Sequence, residues 1–341
     1  VLRRIVTAAL ASMLAITAAL WLANTSAFMS FPDIDGPRVI AHRGEHQLFN
    51  RAGLTHDTCT ATRILPPTHG FLENTLPSMR AAFEAGADVV ELDVHLTPDK
   101  VFAVLHDWTL DCRTNLTGVT EDTPFAALKT ADVGYGYTAD GGQTFPFRGK
   151  GIGMLPSLDQ VFATFPDGHF LVNFKSRRIE EGTVLAARLS AEPDRERQVF
   201  GVYGGGEPTT ATLAARPKLR GYTAASVRAC LLTYLKVGWS GYVPQDCRNT
   251  LVPVPINYAH LLWGWPQRFY ARMQAAGSDV IVIGAYQKGD FGSSGIDTLA
   301  DWTQLPAHFP GYVWTNRIED ARRLAKQSGA CGPEAKTRIC R

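Results

Sequence analysis

The chain has little net charge: 34 Lys and Arg against 32 Asp and Glu leave +2 over 341 residues. That balance excludes general electrostatic capture of nucleic acid, which needs a broad basic field, and leaves recognition to local charge. There is no CxxC pair and no Cys/His cluster at structural-zinc spacing, so the six cysteines are not a zinc site. No internal repeat or low-complexity tract occurs, which excludes a solenoid or an array. The one glycine-rich run with a lysine, Gly149-Lys150-Gly151-Ile152-Gly153, lacks the strand that must precede a phosphate-binding loop.

What is present begins at the N-terminus. Arg3 and Arg4 precede an uncharged apolar run from Ile5 to Ala23, and Asn24-Thr25-Ser26-Ala27 follows. At about 1.5 Å per residue the run spans roughly 28 Å, close to the hydrocarbon thickness of a bilayer and longer than the apolar region of most cleaved signals. Residues 1–30 therefore read as a signal anchor in preference to a cleaved signal peptide. The paired arginines belong on the cytoplasmic side and the rest of the chain outside, periplasmic or extracellular. An even cysteine count suits an exported protein, where disulfides persist. Spacing suggests Cys331 with Cys340 and Cys230 with Cys247, although sequence alone does not fix the pairing. Cys59 and Cys112 then remain, in loops that follow candidate site strands, where a bond between them would staple the mouth of the site.

From residue 38 to near 328, apolar strand candidates alternate with amphipathic helix candidates, the pattern of a β/α fold with a parallel sheet. Strands are expected at Arg38 to Ala41, Val89 to Val94, Val101 to His106, Phe170 to Lys175, Val199 to Tyr203, Leu251 to Ile256, Asp279 to Ile283 and Gly311 to Thr315. A short run near Arg220 to Thr223 competes for a place. Eight or nine candidates suit a TIM-type (β/α)8 barrel over 31–341 better than an open sheet. Helices are expected at Leu76 to Ala85, Leu158 to Phe165, Glu180 to Leu189, Ala225 to Val237, Gln267 to Ala276 and Ile318 to Gln327. A long insertion follows the third strand, about 107–157, with turn chemistry and aromatics but little periodicity, and a second unusual connection runs from Glu45 to Leu72.

The residues that carry chemistry sit at the ends of the first strands. Glu91 and Asp93 alternate along one strand and point to one face, where two buried carboxylates call for a hard cation such as Mg²⁺ or Ca²⁺. His106 lies thirteen residues after Asp93, too close for an ordinary strand-helix-strand crossover; an antiparallel hairpin about Pro98 and Asp99 or a stretched parallel connection would each bring the imidazole to the carboxylates. His42 ends the first strand, and Arg43 beside it has a fork suited to phosphate. Glu73-Asn74-Thr75 opens a helix, with Asn74 or Thr75 as its cap and Glu73 facing the same rim.

These motifs resemble the glycerophosphodiester phosphodiesterase family. The likeness runs through His42-Arg43-Gly44, Glu73-Asn74-Thr75, Glu91-Leu92-Asp93-Val94-His95-Leu96-Thr97, Val104-Leu105-His106-Asp107, Leu155-Pro156-Ser157-Leu158 and, more loosely, Thr315-Asn316-Arg317. It implies a barrel enzyme that uses a divalent cation, with Glu91, Asp93, Glu73 and Asn173 as metal residues. Arg43 and Lys175 take the phosphate, and His42 and His106 act as acid and base. A hydroxyl of the substrate glycerol attacks phosphorus to give a cyclic phosphate as the alcohol leaves, and water then opens the ring. Three departures stand out. Asn173-Phe174-Lys175 replaces the usual Glu-x-Lys, Cys112 stands where an Arg is usual with Arg113 displaced by one, and Thr315-Asn316 replaces Thr-Asp. A lysophospholipase D or sphingomyelinase D-like activity on membrane lipid is the alternative within the enzyme class, and a non-catalytic phosphodiester-binding barrel is the alternative outside it.

Overall fold

The structure, a computed structural model, describes residues 2–31, 36–55, 58–287, 294–332 and 335–341. The uncharged N-terminal run forms one helix, α1 (Leu2–Asn24), none of whose side chains is buried. Beyond it the chain builds strands β1 (Arg38–Ala41), β2 (Val89–Leu96), β3 (Phe102–Val104), β4 (Phe170–Phe174), β5 (Val199–Gly204), β6 (Gly221–Tyr222), β7 (Leu251–Pro255), β8 (Asp279–Ile283) and β9 (Tyr312–Thr315). Eight of them are parallel neighbours in the order β6-β5-β4-β2-β1-β9-β8-β7. At the seam between β6 and β7, Thr250 Oγ1 donates to the Gly221 carbonyl at 2.6 Å, so the barrel is nearly closed.

Alternation along the strands separates two apolar layers, because successive side chains point to opposite faces. Val90, Leu92 and Val94 pack outward against the helices, while Ile40, Val89, Leu171, Leu251, Ile281 and Trp314 fill the interior. Helix ends follow local chemistry. Thr75 caps Leu76–Ala85, accepting from Ser78 N, and the helix stops at Gly86 in the left-handed region (φ 110°). The expected helices are all found, with Ile318–Gln327 matching at both ends.

One detail differs from expectation. The run from Val101 is not a barrel strand: β3 returns antiparallel on β2, with Val94 opposite Val104, and the short Gly221–Tyr222 run takes the vacant barrel place. The hairpin wins because the turn at Thr97-Pro98-Asp99-Lys100 is too short for a crossover. Gly205 is the N-cap of the helix Gly206–Ala215. A side chain at Gly205 would meet the Ser176 carbonyl at 1.8 Å, which explains the glycine.

The insertion and the 45–72 connection fold onto each other as a satellite core that includes Ile64, Leu72, Leu105, Leu110, Tyr137 and Phe147. The Cys59–Cys112 disulfide joins them. The other pairs are Cys230–Cys247 and Cys331–Cys340, as spacing suggested. The glycine run of the insertion has its amides taken: Gly149 N and Gly151 N donate to the Asp132 carboxylate at 2.6 and 3.0 Å.

Candidate active site

The site lies where β1, β2 and β4 end. Glu91 and Asp93 share the inward parity of Val89 and are fully buried. Tyr203 at the end of β5 donates its hydroxyl to Glu91 Oε1 (2.7 Å), and Arg43 N donates to Glu91 Oε2 (3.1 Å). Asp93 receives Asn74 Nδ2 (2.9 Å) and Asn173 Nδ2 (2.8 Å), with Arg43 Nε at 3.2 Å and Lys175 Nζ at 3.6 Å. Burial, and then the Asp93 charge, push the Glu91 carboxyl up. Burial acts against Asp93 as well, but Lys175 and Arg43 hold it below the usual carboxylate range.

Arg43 and Asn74 both adopt positive φ (57° and 58°), a conformation that ordinary residues hold only when their surroundings fix it. The surroundings are visible. Asn74 N donates to the Arg43 carbonyl (3.0 Å), and Asp93 N donates back to Asn74 Oδ1 (3.1 Å), so the Asn74 amide grips Asp93 at two points. Gly44 permits this approach, since a Cβ there would meet Ser78 Oγ at 2.5 Å.

A chain of alternating charges links the two histidines. Arg43 pairs with Glu73 (2.9 Å), Glu73 with Arg113 (2.8 Å), Arg113 with Asp107 (2.9 Å), and Asp107 Oδ1 accepts from His106 Nδ1 (2.8 Å). At the other end His42 Nε2 lies 3.9 Å from Glu91 Oε2. Displaced by one position, Arg113 still reaches both acids. Its guanidinium is held further by Thr60 Oγ1 and the Tyr137 hydroxyl.

Partners fix the imidazole tautomers. Asn316 donates Nδ2 to Asp297 (2.8 Å), which turns its Oδ1 toward His42 Nδ1 at 2.6 Å. Nδ1 of His42 therefore carries the proton, as does Nδ1 of His106 against Asp107, and both Nε2 atoms are left as acceptors. Burial and Arg43 lower the pKa of both rings, His42 well below its ordinary value and His106 to about 4, with Lys175 adding to the effect on His106. The Asp93 charge acts on both, so carboxylate and imidazoles meet in one site.

Of the residues expected to hold a cation, Glu91 and Asp93 form a buried pair whose mutual repulsion fits a hard divalent ion. Glu73 is turned to two guanidiniums, and Asn173 presents its amide N–H to Asp93. Among the described residues no group of three or more His, Cys, Asp or Glu is placed to hold a metal. Several participants escape sequence reasoning. Tyr203 and Asp297 are brought in by neighbouring strands and Arg113 by the insertion, and Asn74, read as a cap, is a clamp. His95 is buried between Glu121 (3.4 Å) and the His106 carbonyl (3.4 Å).

The fold and these strand-end residues define a β/α barrel with two imidazoles, two buried carboxylates and a guanidinium gathered at the carboxyl ends of its strands. Residues 42–185 match the model of the glycerophosphoryl diester phosphodiesterase family. A glycerophosphodiester phosphodiesterase of Caldanaerobacter subterraneus subsp. tengcongensis is 39% identical over 33% of this chain and 42% of its own. One of Bacillus altitudinis is 40% identical over 30% of this chain and 39% of its own. The chain thus spans about two fifths of the length of the curated relatives it matches. Among solved structures, a glycerophosphodiester phosphodiesterase of Agrobacterium tumefaciens superposes with TM-score 0.53 at 20% identity, over 86% of this chain and 99% of the other. A phosphodiesterase of Oleispira antarctica, solved with its product sn-glycerol-3-phosphate, gives 0.50 at 18% identity, over 85% and 97%. The segment from His42 to Leu185, which carries the site, is thus similar to the glycerophosphoryl diester phosphodiesterase family.

Proposed function

We propose that the chain hydrolyses glycerophosphodiesters to an alcohol and glycerol phosphate, on the outer side of a membrane to which α1 anchors it. The observation that carries this reading is two imidazoles, each with its Nε2 lone pair available, beside one guanidinium in a segment similar to that family. Arg43 and Lys175 bind the phosphate. His106 is the base: Asp107 orients it, and its side chain is the more exposed of the two rings (22% against 4% for His42). It takes the proton of the attacking glycerol hydroxyl. His42 supplies a proton to the departing alcohol oxygen, and the roles reverse when water opens the cyclic phosphate.

For His42 to carry that proton its lowered pKa must recover. After burial, Arg43 is the largest cause of the lowering, and a phosphate on Arg43 cancels that charge. Substrate binding therefore arms the acid. A divalent cation, Mg²⁺ or Ca²⁺, would be held by Glu91 and Asp93, with Asn173 as a ligand only after its amide turns from donating to Asp93, and when bound it would supply positive charge to the phosphoryl oxygens. Glu73 serves Arg43 and Arg113. The test is a panel of glycerophosphodiesters, glycerophosphocholine first, assayed with Ca²⁺, with Mg²⁺ and with chelator. Release of glycerol phosphate that falls on chelation and returns with the cation is expected. No turnover on any diester with either cation refutes the activity and favours a phosphodiester-binding barrel.

A further inference from the structure

The root of α1 is built into the barrel. The last carbonyls of a helix have no partner within it, and here the protein body supplies them. Arg272 donates to the Ala23 carbonyl (3.1 Å) and to Asn24 Oδ1 (3.2 Å), and Arg268 donates to the Thr25 carbonyl (3.2 Å). In return Asn24 Nδ2 donates to the Trp239 carbonyl (2.7 Å) and Ser26 Oγ to the Gly264 carbonyl (2.7 Å). Arg272 is itself fixed by the Tyr234 hydroxyl and the Gly238 carbonyl, both at 2.9 Å. Removal of the segment through Ala27 would strip Ala23 and Asn24 from Arg272 and Thr25 from Arg268, so the seat suits a retained helix.

Around this seat the surface is aromatic. Trp239, Tyr242 and Trp263 are 47%, 54% and 40% exposed, and the Trp263 indole is pinned by donation to the Leu235 carbonyl (2.9 Å). Phe28 lies exposed beside Trp21 of the helix itself. Trp and Tyr gather where a bilayer meets water, with the ring in the interface and the polar edge satisfied. The position in the fold gives a direction. The helix Ala224–Val237 follows β6 and runs back against the strands, so Gly238–Ser240 at its end lies at the amino ends of the strands. Phe31, after the seat, packs on Phe309 just before β9, and β1 then begins. His42 and His106 sit at the opposite end of the barrel.

We propose that the aromatic ring around the α1 root rests in the interface of a lipid bilayer and holds the barrel mouth away from it, so that the site takes water-soluble, deacylated phosphodiesters from the surrounding solution and not lipid from the membrane. The substrate half rests on the hydrolytic reading above; the orientation half does not. The full chain is reconstituted in phosphatidylcholine and phosphatidylglycerol vesicles containing lipid brominated near the headgroup, and tryptophan quenching is compared among variants. Trp239→Phe with Trp263→Phe is expected to remove about half or more of the quenchable signal, leaving Trp21, whereas Trp108→Phe at the mouth leaves it unchanged. A double variant that keeps the parent's quenching, or a loss with Trp108→Phe, overturns the orientation. The unaltered protein provides the second reading: in the same vesicles it is expected to cleave added glycerophosphocholine and to spare lysophosphatidylcholine held in the bilayer. Cleavage of the bilayer lipid overturns the substrate assignment. Failure on every diester refutes the hydrolytic reading alone, with the orientation decided by quenching.

Discussion

Asp107→Asn tests the proton chemistry most directly. Asp107 Oδ1 accepts from His106 Nδ1 at 2.8 Å, while Oδ2 accepts from Arg113 Nε at 2.9 Å. An amide is isosteric but has one acceptor and one donor end. If its oxygen stays on His106, its NH₂ faces the Arg113 N–H and two buried donors collide, at a cost of about 1–3 kcal/mol in stability. If it turns, the NH₂ faces His106, the ring proton moves to Nε2, and the lone pair that should take the hydroxyl proton is gone. The second arrangement keeps the shorter Arg113 Nε bond (2.9 Å) and gives up only the longer Arg113 Nη2 contact with Oδ1 (3.2 Å), so it is preferred. Loss of a correctly poised base lowers kcat/KM by about 10²–10⁴-fold, or about 3–5 kcal/mol of transition-state stabilisation. The assay is steady-state hydrolysis of glycerophosphocholine across about pH 5 to 9, with thermal melting as the folding control. A folded variant within about threefold of the parent at every pH would refute the dyad.

Three further outcomes follow from the geometry. His46 is buried beside His42, and burial first, with Arg43 contributing, lowers its pKa to about 4. An unfolded histidine binds its proton near 6.5, so this group's stabilisation is present above that pH and is lost as pH falls toward 4, at about 1.4 kcal/mol per pH unit. His46→Gln should flatten the acid limb of a stability-pH curve by that slope, and parallel curves would count against it. Asn173→Glu adds a third carboxylate beside Glu91 and Asp93 and should tighten Ca²⁺ binding about tenfold or more by calorimetry; unchanged affinity would remove Asn173 from the cation's surroundings. Replacing Cys59 and Cys112 by Ser should cost about 2–4 kcal/mol in denaturant unfolding, and an unchanged midpoint would show that the satellite core holds the two connections without the bond.

The barrel was legible because its outer layer repeats simple patterns: Val90, Leu92 and Val94 alternate with Glu91 and Asp93, and Ile318–Gln327 has clear helical spacing. The site's first members were legible for the same reason, since strand ends and alternation place them on one rim. Two kinds of information were not. The sense of β3 depended on whether a short connection closes as a hairpin, which local sequence leaves open. The supporting polar residues are distant in sequence: Tyr203 reaches Glu91 from β5, and Asp297, between β8 and β9, turns Asn316 toward His42. Their roles exist only once the strands are neighbours, so no spacing rule announces them. Asn74 illustrates a subtler limit, because a residue next to a helix start is read as a cap although the adjacent Thr75 performs that task.

The Cys59–Cys112 bond has a consequence for where the protein becomes competent. Thr60 and Arg113 directly follow the two cysteines, and Arg113 is the guanidinium that joins Glu73 to Asp107. Oxidation of this pair thus clamps the link that aligns His106. With the thiols reduced, the two connections are ordered by packing alone; with the bond closed, Arg113 is drawn into register between Glu73 and Asp107. On the proposed exported placement, crossing into an oxidising compartment would therefore complete the proposed site, and an enzyme still on the inner side would be held short of its finished form.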